Sequence, residues 1–135
     1  MEWQTPKTDW KVEDTFYLDR DYRRIRGNLD YLRNEAARVV GPVAYTWTEW
    51  EQRQVPLASF FNQVEENLAA AAEAVQQRTS YQTRQFGPEM AVWDWRDLNR
   101  IESMTRQIAL DLKVIEQGQA KLAFCLGGGL LGSYL

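Results

Sequence analysis

One short helical phrase, written three times, limits what this chain can fold into. It reads Tyr22-Arg23-Arg24-Ile25-Arg26-Gly27-Asn28-Leu29, then Phe61-Asn62-Gln63-Val64-Glu65-Glu66-Asn67-Leu68, then Leu98-Asn99-Arg100-Ile101-Glu102-Ser103-Met104-Thr105. The copies begin 39 and then 37 residues apart, the spacing of a unit made of one helix and one connection. A single amphipathic helix has nowhere to bury its apolar stripe, whereas three can bury theirs against one another. Upstream of the phrase, Thr8-Asp9-Trp10 returns as Thr48-Glu49-Trp50, so the repeated unit extends into the connections.

The apolar spacing gives the elements. Tyr22, Ile25, Leu29, Leu32, Ala36 and Val39 step by three or four and predict a helix over about 19–39, stopped by Gly41-Pro42. Thr48 and Glu51 have capping-box spacing, which predicts a short helix over 48–54 that ends before Pro56. A further helix is expected over 56–78, with the stripe Phe61, Val64, Leu68, Ala71 and Val75. Residues 79–92 are polar, contain Gly87-Pro88 and read as a long loop. Asp94 caps the last expected helix, 94–117, whose stripe is Leu98, Ile101, Met104, Ile108, Leu112 and Ile115 and whose C-cap is Gly118.

The fold class read from this pattern is mainly α: a three-helix bundle domain over 1–121 with a short extra helix. Residues 122–135 form a separate tail, apolar and rich in glycine, in which two short strands around Gly127-Gly128-Gly129 are expected as a β-hairpin or strand. A hairpin alone is barely stable and needs a surface or another chain to pair with.

Composition then removes whole classes of function. The 135 residues suit one domain, and a 44% hydrophobic fraction with six Trp, six Tyr and five Phe rules out a disordered chain. A net charge of −3 argues against a nucleic-acid partner, which needs a basic surface. No apolar run reaches the roughly 20 residues of a membrane span. The single cysteine, Cys125, gives no internal disulfide and reads as packing, and with no signal-like opening the chain is expected to fold in a reducing cytoplasm.

Catalytic material is scarce. The chain has no histidine, which removes the commonest general base and most zinc sites, so no metal or cofactor is expected. Carboxylate pairs remain: Asp19 with Asp21, Glu65 with Glu66, Asp94 with Asp97. Their places at helix starts and on helix faces favour capping and dipole roles over acid–base catalysis. The glycine triplet lacks the Lys and Ser or Thr of a phosphate loop. Asn28 and Asn67, equivalent in two copies of the phrase, are expected to brace connections between helices.

All six tryptophans, Trp3, Trp10, Trp47, Trp50, Trp93 and Trp95, are read as lying in the connections preceding helices. Trp10, Trp50 and Trp93 are expected to plug one end of the bundle, while Trp3, Trp47 and Trp95 are candidates for an exposed protein interface. Phe124, Leu126, Leu130, Leu131 and Tyr134 of the tail are the apolar interface candidates, through strand addition to a neighbour.

The phrase itself carries a resemblance. Asp-x-x-Arg-Ile after an aromatic or acidic opening, and Phe-Asn-x-Val-Glu-x-Asn-Leu, occur here within Thr8–Leu32, Pro56–Leu68 and Trp93–Glu102. They resemble small structural proteins from the tail, baseplate or fibre region of tailed phages and prophages of Gram-positive bacteria. The closing Leu126-Gly127-Gly128-Gly129-Leu130-Leu131-Gly132 is similar to the end of such domains. Gln63 departs from the pattern's Arg, and Ser103-Met104 from its Gly or Glu followed by Asn. The resemblance implies a non-enzymatic structural or adaptor protein that joins a virion or tail-like particle. Its partners would be other tail proteins and copies of itself. Two rival expectations are a carbohydrate-binding, host-attachment module using the loop tryptophans and a carboxylate-based hydrolase.

Overall fold

A computed structural model describes residues 2–47, 58–76 and 93–125, and these are mainly helical. A π-helical turn, Leu18–Tyr22, leads directly into α1, Arg23–Val39; α2 spans Ala58–Gln76 and α3 spans Trp95–Cys125. No strand occurs among the described residues. The expected helix over 48–54, the loop over 79–92 and residues 126–135 of the tail lie outside them.

The three helices run parallel. Arg24 pairs with Glu102 and Arg38 with Glu116, each 78 residues apart, while Glu65 pairs with Arg100 and Gln76 with Asp111, each 35 apart. Parallel neighbours keep a constant difference in residue number, whereas antiparallel neighbours keep a constant sum. A parallel neighbour also requires the chain to travel back along the bundle between helices. That return path accounts for the long connections and for the length of the repeated unit.

The register aligns the copies of the phrase side by side. Tyr22, Phe61 and Leu98 share one level, Ile25, Val64 and Ile101 the next, then Leu29, Leu68 and Thr105, all buried. Leu32, Ala71 and Ile108 follow, then Ala36, Val75 and Leu112, also buried. Steps of three and four residues are those of a coiled-coil seam, so the chain folds as a parallel three-stranded coiled coil made from one polypeptide. Thr105 keeps its place in this seam because its hydroxyl donates to the Ile101 carbonyl at 2.8 Å.

Aromatic rings close the N-terminal end. Phe61 meets Trp93 edge-on with centroids 4.6 Å apart, Phe16 meets Trp93 at 5.9 Å, and Tyr22 meets Phe61 at 6.0 Å. Trp10 and Trp93 are both 3% exposed, in the plugging role expected of them; Trp50 lies outside the described residues.

The helix starts differ by one residue. In α3, the Asp94 and Asp97 side chains accept each other's backbone N–H, at 2.9 and 3.1 Å, a reciprocal cap. Asp21, which precedes the phrase as Asp97 does, reaches one residue further back, to the Tyr17 N–H at 2.8 Å. The π turn takes up that extra residue. Helix α1 ends where expected: the Val40 and Gly41 N–H groups both donate to the Ala36 carbonyl, and Gly41 adopts φ 142° before Pro42.

Two expectations about the last helix are corrected. It does not end at Gly118, and residues 122–125 are helical and not a strand. Gly118 lacks a positive φ, so it does not act as a C-cap. Gln117, Gln119, Ala120, Lys121, Leu122 and Ala123 are all favourable in a helix and outweigh one glycine, which costs roughly 1 kcal/mol. Gln119 also ties this stretch to α1, its side-chain amide donating to the Val39 carbonyl at 2.9 Å.

A β-carbon at Gly118 would meet nothing within 4 Å. Gly118→Ala should therefore raise stability by roughly 0.5–1 kcal/mol in urea denaturation. Gly41→Ala should lower it by about 1–3 kcal/mol. A loss at Gly118 would mean that the helix stops there.

Candidate functional site

Polar residues of the phrase meet between the helices. Asp21 precedes the first copy, Arg24 stands two residues into it, and Glu102 stands four residues into the third copy. Arg24 contacts Glu102 through Nε at 2.8 Å and Nη2 at 2.9 Å, and Asp21 through Nη1 at 2.8 Å. At the next interface Arg100 grips Glu65 through two bonds of 2.8 Å and touches Asp97 at 3.2 Å. These are the same positions of the repeat, moved on by one helix. Glu65, Glu102 and Asp21 are all fully buried, so their charges need these partners. The third interface carries Gln63 and Arg26 at the corresponding places.

The first cluster also holds the N-terminal segment. Glu102 accepts from the Trp10 indole N–H at 2.6 Å and from the Lys7 backbone N–H at 3.1 Å. Burial alone would raise the Asp21 carboxyl. The Arg20 and Arg24 guanidinium groups and the Tyr17 N–H outweigh it and hold the group below the ordinary carboxylate range. On Arg24, burial opposes the charge, and Glu102 and Asp21 more than reverse that.

Three asparagines hold the connections against the helices. Asn28 accepts the Gln4 N–H at 2.9 Å and donates to the Gln4 carbonyl at 2.7 Å. Asn67 does the same to Thr46, both bonds 2.9 Å, and Asn99 to Trp10, at 2.8 and 2.9 Å. Each side chain satisfies both backbone groups of one residue, as a neighbouring strand would. Asn28 and Asn67 thus brace connections as their repeated position implied. Asn99 was missed, although it stands one residue into its copy of the phrase, as Asn62 does in the second.

The interface candidates divide. Trp3, Trp47 and Trp95 are half-buried and packed against the core. Trp3 lies 5.4 Å from Tyr31. Trp47 donates to Asp30 at 2.6 Å and has Arg26 stacked over its ring at 4.6 Å. Phe124 lies in the last turn of α3; Leu126, Leu130, Leu131 and Tyr134 lie outside the described residues. Four of the six carboxylates considered for catalysis are engaged structurally: Asp94 and Asp97 cap α3, Glu65 binds Arg100, and Asp21 binds Arg20 and Arg24; Asp19 and Glu66 are exposed.

An open groove of about 480 Å³ lies between α1 and α3. Trp3, Tyr31, Leu32, Ala109, Leu110 and Leu112 line its apolar part, and the Arg38–Glu116 pair lies at its C-terminal end. Among the described residues no group of three or more His, Cys, Asp or Glu is placed to hold a metal ion. No described helix is long and apolar enough to cross a membrane.

Fold and site together define a parallel helical bundle tied by two buried ionic clusters. No family model matches the chain, and neither a curated protein nor a solved structure matches it.

Glu102→Ala leaves Arg24 with Asp21 as its remaining acceptor and the Trp10 N–H with none, and should cost about 3–5 kcal/mol in urea denaturation. Glu116→Ala, at the exposed Arg38 pair, should leave the midpoint unchanged. Because Asp21 has a lowered pKa in the folded chain, its contribution is complete above its unfolded value and lost as pH falls through the folded one. The melting temperature should hold between about pH 8 and 5 and drop below about pH 4.

Proposed function

We propose that this chain is a non-enzymatic structural or adaptor subunit of a phage tail or baseplate, acting through protein–protein contacts. The observation that carries the reading is the use made of the repeated phrase. Its charged and amide residues tie helix to helix and connection to helix, which builds a stiff rod. The phrase also carries the resemblance to tail-region structural proteins. Folding would take place in the host cytoplasm, before incorporation into the particle. The apolar tail, residues 126–135, would supply the joint to other tail proteins or to copies of the chain.

The rod supports this division of labour. Helix α3 has 31 residues against 17 in α1, and it carries the tail away from the body of the bundle. Leu122, 58% exposed, continues the apolar spacing of α3 beyond that body.

Deleting residues 126–135 should leave the helical circular dichroism and the melting temperature unchanged while abolishing assembly in sedimentation velocity. A truncated chain that assembles like the intact one contradicts the tail's role.

A further inference from the structure

We propose that the groove between α1 and α3 receives residues 126–135 of a second copy of this chain. The inference rests on the tail being the joint, and it names the surface that the tail meets.

The chain already shows how its grooves are filled. After α1, residues 43–47 climb the groove between α1 and α2 as an extended segment. Val43 is buried there, Tyr45 lies under Arg33 and Thr46 is clamped by Asn67. Among the described residues the α1–α3 groove is covered in its N-terminal half, from Trp3 and Gln4, clamped by Asn28, to Trp10, clamped by Asn99. Below Trp3 no described residue covers it, and its apolar floor includes Tyr31, Leu32, Ala109 and Leu112. Leu110 forms its lip and is 44% exposed.

Residues 126–135 match that floor chemically. They carry four leucines, one tyrosine and no charged side chain, with four glycines that let the backbone approach closely. The reach of residues 126–135 from Cys125 favours a second copy over the same one. In the seam Ala36 stands level with Leu112, so Val39 stands level with residue 115 and α3 overruns α1 by ten residues to Cys125, about 15 Å at 1.5 Å per residue. If residues 127–129 turn the chain, residues 130–135 extend at most about 20 Å. Returning to the level of Val39 uses more than half of that and leaves them short of Tyr31 and Trp3. A neighbour's groove imposes no such limit. A tail seated in the next copy's groove is a head-to-tail contact, which closes into a ring or continues as a filament.

Sedimentation velocity on four full-length or truncated proteins tests this. The intact chain should self-associate, and so should Val114→Asp, whose side chain is 65% exposed and does not line the groove. Leu110→Asp, also at an exposed position, should lower the association constant at least tenfold with an unchanged thermal melt. A chain ending at Cys125 should be monomeric. Mixing Leu110→Asp, which keeps its tail, with the truncated chain, which keeps its groove, should give a 1:1 dimer and nothing larger. Association of the truncated chain overturns the tail as joint. A monomeric truncation beside an associating Leu110→Asp overturns only the groove. No dimer in the mixture overturns docking between copies, and a monomeric intact chain overturns both readings.

Discussion

The bidentate bonds between arginine and glutamate at equivalent places of the repeat hold the structure in register. Arg24 with Glu102 and Arg100 with Glu65 each lie between two helices that start level with one another. A slip of one residue would bury both carboxylates without partners, and removing one member of a buried pair costs about 3–5 kcal/mol. Apolar contacts alone would tolerate such slips more readily, because neighbouring levels of the seam offer similar Leu, Ile and Val surfaces. The ionic clusters therefore select one alignment, and the seam supplies the bulk of the stabilisation.

The parallel arrangement sets the rest. α1 and α2 must each be followed by a return along the bundle, and the described start of the first return, residues 43–47, lies against helices that have to satisfy its backbone. The asparagine clamps answer that need: a buried or half-buried extended segment beside helices has no neighbouring strand, and the Asn side chain provides one residue's worth of it. The same logic places tryptophans in the returns. Trp10 and Trp47 combine a large apolar ring with an N–H that finds Glu102 and Asp30, so they fill grooves at polar places.

Much of this was legible before any coordinates. The stripes through Ile25, Val64 and Ile101 located the three helices, and Gly41-Pro42 located the end of α1. The caps at Asp94 and the bracing role of Asn28 and Asn67 followed from position within the phrase. Helix direction is also carried by the sequence: the 16 and 15 residues between the expected helices 19–39, 56–78 and 94–117 are far more than antiparallel neighbours need. The end of α3 is not legible from Gly118 alone, because the helix-favouring residues on both sides carry the helix through it. The Arg–Glu clusters were hidden for a different reason. Each joins positions two and four of different copies, and which copy neighbours which depends on helix direction. Gln63 and Arg26 then make sense together, since one interface lacks both the arginine and the glutamate of the other two.

The central claim is that α1 and α3 lie parallel in the register set by these pairs. Spin labels on exposed positions 38, 103 and 116 test it through pairwise distances. The Arg38 and Glu116 side chains meet across the two helices, while 103 lies thirteen residues above 116, roughly 20 Å along the axis. The account predicts a distinctly shorter distance for 38–116 than for 38–103. The reverse order, short for 38–103 and long for 38–116, would contradict it.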